Sequence, residues 1–516
     1  VSRRAGIRLL LVGLVLGAAV PASAFTRLEG EYTFQVDVRK QDRRYQWDFD
    51  SNNDDTYNLT SFRLFSQPYP GVEAFTKFEA EWNTGSNNTP RPVLQYREAH
   101  LHFRKDFGGK GFDSYIFSRQ DRFWVDNHLI QIVQGGPSGD GGNAQGVRVD
   151  TWFAGPTNLT FIASDFSSQS NPSTGSQPDE PVPTDDAYVG RIRREFMGGK
   201  LRTGLTWNRK NTRRAGAEKV DTEVLGTDFR YTLGGTDISL EYAEGHQITS
   251  GVPYPGYDLR LSKLRLDNPS TGLPADGVLR GEIRSIRVGN YKTGYLNFAP
   301  SFWYLGPEYR NQLGDGNNDE AGYYINSWYL VPGRAITLTN NYLSYTKRVS
   351  QSRHVTEFYS EAYVEFVNGF TGKFFYRKHT TKDWLSDAQE TIVQVTHNDD
   401  VFGEMTVENR LAWLRLQFRI RDLSTLFQKE LGSFETSVNI SSTLKVYNRF
   451  TFGNDPARVR KGLYSELQYR PRHNLELFLA YGPFWIGAGS NPVFEGNLQG
   501  NADNKDLVRL TVKGTF

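Results

Sequence analysis

The sequence predicts an all-β fold, a single transmembrane antiparallel β-barrel of about 18–24 strands with short periplasmic turns and long extracellular loops. Three observations predict it. The C-terminal stretch alternates apolar and polar residues and stops on an aromatic. The N-terminus has the build of a secretory leader. Between them, two-faced strands are separated by connectors that are alternately short and long.

In the closing stretch, Val508, Leu510, Val512 and Phe516 fall on one face of an extended strand, and Arg509, Thr511, Lys513 and Thr515 on the other. A barrel-closing strand needs this, because its apolar face meets lipid and its polar face meets luminal water. At the other terminus, Arg3, Arg4 and Arg8 accompany an apolar run from Ile7 to Val20, followed by Pro21-Ala22-Ser23-Ala24. A basic head, a short apolar core and an A-x-A site define a signal peptide over residues 1–24, with cleavage expected after Ala24. Residues 25–516 are then the barrel, placed in the cell outer membrane. The two-faced pattern fills this stretch from one end to the other. No sequence is left for a plug or a periplasmic assembly domain, which argues against a TonB-dependent transporter, a barrel-assembly protein or a two-partner-secretion protein.

Composition agrees. Aromatics make up 14% of the 516 residues, yet mean hydropathy is −0.56. Many aromatics in a hydrophilic chain suit aromatic girdles around a wet interior. The absence of cysteine excludes disulfides, thiolate metal sites, covalent haem attachment and a cysteine nucleophile. A net charge of +2 gives no argument for nucleic acid as a partner. No later apolar run is long enough for a membrane-spanning helix.

Period-two alternation recurs along the chain. Leu28, Tyr32, Phe34, Val36 and Val38 alternate with Glu29, Glu31, Thr33, Gln35 and Asp37. Leu414, Leu416, Phe418 and Ile420 alternate with Arg415, Gln417, Arg419 and Arg421. Such segments are half-buried strands with two unlike faces. Tight turns are expected at Pro68–Gly71, Gly108–Gly111, Gly155–Asn158, Met197–Lys200, Leu233–Thr236, Pro332–Arg334, Asn368-Gly369 and Arg470–Asn474, where Gly, Pro and Asn supply the backbone angles. Longer polar connectors are expected over 40–57, 83–92, 120–146, 166–186, 208–221, 246–278, 305–321 and 483–505. The one helical spacing is Ser424–Leu431, a short loop helix. The region 389–452 is the hardest to divide into strands.

Charges on the lipid face of a barrel cost a few kcal/mol each at mid-membrane. Arg191, Arg193, Arg202, Arg280, Arg284, Arg415, Arg419, Arg421, Arg509 and Lys513 are therefore expected to line the lumen and are the candidates for solute selection. An arginine-lined lumen favours anions. Pairing with inward acids such as Glu29, Glu31, Asp37, Glu79, Glu81 and Glu466 would instead give a neutral network, and this outcome has the greater weight. Loops 120–146 and 166–186 are the candidates for an inward-folded constriction. The acidic stretches Asp48–Asp55 and Asp315–Glu320 read as solvated loops. His100 and His102 share a strand face without a third ligand in reach of the sequence. The aromatic run Phe302-Trp303-Tyr304, with Tyr309, reads as girdle. No nucleophile elbow, zinc-protease or phosphate-loop motif is present, so no catalytic residue, metal or cofactor is assigned.

The plan resembles Gram-negative outer-membrane porins. A strand carrying Arg97-Glu98-Ala99 leads through a glycine-rich turn to a strand ending in Arg119-Gln120, followed by Gly146-Val147-Arg148-Val149-Asp150. In this stretch the chain resembles the alginate-export-type barrels. The resemblance implies a single-chain barrel with an Arg-lined lumen passing an acidic polysaccharide. The expected function is an outer-membrane channel passing small hydrophilic or anionic solutes by size and luminal electrostatics. An export conduit for an acidic polysaccharide and a sheath around a periplasmic or extracellular partner protein are the alternatives. The expected partners are the lipid bilayer, the outer-membrane assembly machinery acting through the C-terminal strand, and a periplasmic protein.

Overall fold

The computed structural model describes residues 25–516, apart from 42–43, 49–57, 84–90, 134–143, 168–183, 213–219, 250–275, 312–318, 348–352, 455–460, 494–506 and a few shorter stretches. The expected leader and the Asp48–Asp55 loop lie almost wholly outside the described residues.

The described chain forms one sheet of 26 strand segments, all antiparallel to their neighbours in sequence order. Two staves are interrupted. Arg44–Asp48 and Asn58–Tyr69 both pair with the same side of Phe25–Gln41, and Gly277–Arg284 and Ile286–Asn290 both pair with Gly294–Leu305. Counting each interrupted stave once reduces the 26 segments to 24 staves, an even number at the top of the expected range. The sheet closes where Glu31–Arg39 pairs with Leu507–Thr515, from Glu31 opposite Thr515 to Arg39 opposite Leu507. Val508, Leu510 and Val512 thus sit in the seam facing Val38, Val36 and Phe34. Phe516 exchanges two backbone hydrogen bonds with Gly30, at 2.8 and 2.9 Å. Its ring lies over that glycine, where a Cβ would come within about 2.1 Å of the ring carbons.

Register and strand number fix the bore. Following the pairings once around the barrel returns to the first strand about 28 residues along. With ordinary strand spacing and rise, this shear implies a strand tilt of about 40° and a backbone diameter of about 45 Å for a round section.

The connectors sort by end, as expected. At the end that carries Phe25 and Phe516 they are short, from 70–71 to 473–474, with 331–335 the longest. At the other end lie 84–90, 119–143, 168–183, 250–276, 306–319 and 482–506. Gly71, Gly109, Gly199, Gly235 and Gly369 take positive φ in the tight turns. The region 389–452 resolves into Gln389–Glu408, Ala412–Arg421, Lys429–Asn439 and all but the last residue of Leu444–Gly453. This corrects the expected helix over 424–431. Lys429, Glu430 and Leu431 are strand, opposite Arg421, Ile420 and Arg419, because ladder pairing outweighs a short local helical spacing. Likewise 40–57 is not all loop, since Arg44–Asp48 folds back on Asp37–Gln41.

The outer face is apolar. Leu28, Ile116, Phe161, Ile192, Phe229, Phe358, Phe418, Leu463 and Leu479 are all exposed. In water such a surface would be prohibitive, and in a bilayer it is the solvated face. Near the short-turn end Tyr69, Phe107, Phe153, Phe196, Phe366, Tyr469 and Phe516 are exposed together, the placement of an interfacial aromatic girdle. Among the described residues no helix is long and apolar enough to cross a membrane.

Candidate functional site

The lumen is the candidate site. Alternation carries charged side chains inward because the outward neighbours away from the strand ends are mostly apolar. Arg191 sits between outward Gly190 and Ile192, and Arg419 between outward Phe418 and Ile420. Most of the expected inward arginines are matched by acids. Arg191 donates to Asp126 at 2.6 Å, to Asp228 at 2.5 Å and to the Thr206 hydroxyl at 2.6 Å. Arg193 also donates to Asp126, and Arg202 lies 3.1 Å from Glu195. Arg284 pairs with Glu282, and Arg280 donates to the Leu129 carbonyl at 2.7 Å. Arg415 grips Glu435 at 2.8 and 3.0 Å. Arg419 donates to Asp400 at 2.6 Å, and Arg421 approaches the same carboxylate at 4.0 Å. Arg509 forks onto Asp37 across the seam at 2.7 and 2.9 Å. Lys513 lies 5.7 Å from the centre of the Phe478 ring.

Of the acids expected from sequence, Glu29, Asp37 and Glu79 hold guanidiniums. The partners that organise most of the wall are Asp126, Asp228, Asp400 and Glu435, which sequence reasoning missed. Strand parity alone could have placed Asp228, Asp400 and Glu435 inward, but choosing partners needs the register. Asp126 is a loop residue, and no periodicity reports on it. Burial pushes its carboxyl up, yet Arg191 and Arg193 beside it prevail and hold it below the usual carboxylate range.

Of loop 120–146, one of the two expected constrictions, the described residues Arg122, Trp124–Asp126 and Leu129–Val133 fold into the lumen. Ile130, Ile132 and Val133 are buried there against inward-facing Ile162, Val189, Val224, Ala243 and Val278. An apolar patch on the inner wall of a wet barrel needs a cover, and this segment supplies it. Burying each of these aliphatic side chains contributes about 1.5–3 kcal/mol. Polar contacts fix the register. The Ile130 amide donates to Glu241 at 2.8 Å, Asn208 donates to the Ile132 carbonyl at 2.8 Å, and Arg148 donates to the Trp124 carbonyl at 2.8 Å. Gly226 leaves the space that the Ile132 side chain fills. The segment around Tyr309 folds in beside it, and Asn311 donates to the same Ile132 carbonyl at 3.0 Å. This corrects part of the girdle reading. Phe302 does face outward, but Trp303 turns inward onto Glu320, and Tyr309 is fully buried in the luminal core. The other candidate, 166–186, lies largely outside the described residues.

A second inward segment occupies the wall near the C-terminus. Val493 packs on Phe375, Phe402 and Leu431. Asn491 accepts from Gln417 at 2.9 Å, and Arg449 donates to the Ser490 carbonyl at 2.7 Å.

His100 and His102 both face the lumen. His102 is engaged by Asp113 at 2.7 Å and Glu73 at 3.3 Å and stacks on Tyr115, while His100 packs edge-on against the same ring. Among the described residues no group of three or more His, Asp or Glu is placed to hold a metal ion.

No protein-family model matches the chain, and no curated protein matches it. Solved structures do match in fold. An Escherichia coli P pilus tip assembly intermediate containing the usher PapC with PapD, PapK and PapG superposes with a TM-score of 0.52. It has 8% identity and covers 95% of this chain and 60% of that one. The siderophore receptor PirA from Pseudomonas aeruginosa gives a TM-score of 0.46 at 10% identity, covering 95% of this chain and 80% of the receptor. The P pilus usher translocation pore PapC gives 0.41 at 8% identity, covering 95% and 99%. At these identities every such likeness is one of fold alone.

Proposed function

We propose that this protein is an outer-membrane channel for hydrophilic solutes, with the bore of a large barrel narrowed by Trp124–Asp126 and Leu129–Val133 and by Gly487, Ser490, Asn491 and Val493. The observation that carries this reading is the apolar patch on the inner wall, built to seat Ile130, Ile132 and Val133. A barrel that served only as a membrane anchor has no need of a fitted segment in its lumen. Selection is by size and by electrostatics of the paired arginines. Because Arg191, Arg415, Arg419 and Arg509 each hold a carboxylate, the whole-channel anion preference is modest. Residues 1–24 serve as the leader, and the C-terminal strand is the segment handed to the assembly machinery. Planar-bilayer recording with reversal potentials in a salt gradient tests the reading. A steady conductance with an anion-to-cation preference of a few-fold is expected, and a closed, silent barrel would sink it.

A second reading is favoured by the backbone diameter of about 45 Å, which exceeds what a small-solute barrel needs. It is a conduit for an acidic polysaccharide, or a sheath around a partner protein. Pull-down of a periplasmic protein by the full-length barrel, with loss of conductance on its binding, would favour the sheath over the channel.

A further inference from the structure

One part of the wall departs from one-to-one ion pairing. Asp400, buried in the wall, is approached by three guanidiniums, those of Arg377 at 2.7 Å, Arg419 at 2.6 Å and Arg421 at 4.0 Å. Register explains the convergence. Arg377 and Asp400 are directly opposed on neighbouring strands, and Arg419 opposes Phe402 on the next. All three guanidiniums line one luminal cavity of about 410 Å³. Its other walls are mostly aromatic: Phe375, Tyr359 and Tyr324. Tyr359 and Phe375 lie 5.3 Å apart, Phe375 stacks on Phe402 at 4.9 Å, and the Arg419 guanidinium stands 5.6 Å from the Phe375 ring centre. Asn341, opposite Tyr359 in register, also lines the cavity, with its amide oxygen covered. That oxygen is buried without a hydrogen-bond partner among the described residues. Nε of Arg377 is in the same condition.

The chemistry of this lining is specific. Guanidinium forks match a planar carboxylate, and aromatic walls match a planar ring. A buried amide oxygen accepts from a hydroxyl. The acid in the lining, Glu357, is occupied by His379, with Nδ1 to Oε2 at 3.1 Å, one row nearer the loop end than Arg377. Asp400 holds the three arginines in place.

We propose that this cavity is a binding subsite for a hydroxylated aromatic monocarboxylate. Arg377, Arg419 and Arg421 hold its carboxylate, Phe375, Tyr359 and Tyr324 hold its ring, and Asn341 accepts from its hydroxyl once its side chain turns toward the ligand. The inference rests on the channel reading for its purpose but not for its test. Isothermal titration of the detergent-solubilised full chain with 4-hydroxybenzoate measures binding whether or not the barrel conducts. Saturable one-site binding is expected, with acetate and phenol at least tenfold weaker, because each lacks one half of the ligand. Arg377→Gln is expected to weaken binding at least tenfold, and Tyr324→Leu severalfold, with the β-barrel circular dichroism unchanged. Acetate binding as tightly as 4-hydroxybenzoate would reduce the cavity to an oxyanion site and overturn the proposal. Tighter binding of glucuronate, which is hydroxylated but not planar, would overturn it too, as would no binding at all to the wild-type barrel. A barrel that binds the probe but is silent in bilayers overturns the channel instead.

Discussion

At the scale of single residues, the inner wall is held by ion pairs in places where water barely reaches. Arg449 and Glu435 are each about 1% exposed as side chains, and the Glu435 carboxylate takes bonds from Arg449 at 2.9 Å, Arg415 at 2.8 Å and the Tyr447 hydroxyl at 2.9 Å. Removing one partner of such a pair leaves a buried uncompensated charge and costs about 3–5 kcal/mol. Glu435→Gln is therefore expected to lower the urea midpoint of the folded barrel by that equivalent, whereas Glu430→Gln at the loop end is expected to change it little. Sequence alternation places Arg415 inward but does not single out Arg449, which lies in the stretch hardest to divide into strands. It is silent on why they share one carboxylate, because that depends on a register linking residues 412–421, 429–439 and 444–453. The arginines were legible because lipid forbids them the other face. Their partners were legible only where the partner also lay on a recognisable strand, as Asp37 does for Arg509.

At the scale of elements, the segment at 122–133 behaves as a strap seated by two unlike forces. Its aliphatic side chains are insensitive to pH, whereas its one ion-paired acid is not. Asp126 faces Arg191 and Arg193, and Arg148 with Asp150 lines the same pocket. With its folded pKa depressed, the contribution of Asp126 is complete above the ordinary aspartate value of about 3.9 and fades as pH falls through the lower folded value. Conductance is expected to stay level from about pH 7 down to about pH 5 and to rise only below about pH 4, as the strap loosens. A rise already complete at about pH 6 would assign the change to histidines instead. The strap also marks the limit of periodicity. Loop 120–146 stands out as a constriction by length and position, but Ile130, Ile132 and Val133 follow no strand or helix repeat. Only the inward apolar patch on five other strands explains them. Tyr309 failed as girdle for the same reason, since an aromatic near a strand end can pack inside the barrel as readily as outside.

At the scale of the whole molecule, 24 staves enclose far more space than small-solute traffic requires, so under the proposed channel reading the inward segments are expected to set what passes. Replacing residues 125–133 with a Gly/Ser linker is expected to raise single-channel conductance severalfold and to admit larger neutral polymers in exclusion assays. Unchanged conductance would mean that the segment coats the wall without narrowing the path. Architecture was the most legible property of the chain. Two-faced strands, sorted connectors and an aromatic terminus all follow from the bilayer as solvent, which constrains every stave alike. Strand number was legible only as a range, because long strands such as Gln389–Glu408 and interrupted staves such as Gly277–Asn290 both blur the count.

The seam has a kinetic consequence. Arg509 and Asp37 are 472 positions apart in the chain, and their contact depends on every stave between them having found its register. Contacts of such separation form late, because the entropy of closing the loop must be met before the contact repays it. Until then the growing sheet carries two unpaired edges, each a template for pairing with the wrong chain. The barrel is therefore most vulnerable to aggregation just before it is complete, and the Gly30–Phe516 latch marks the step after which that hazard is gone.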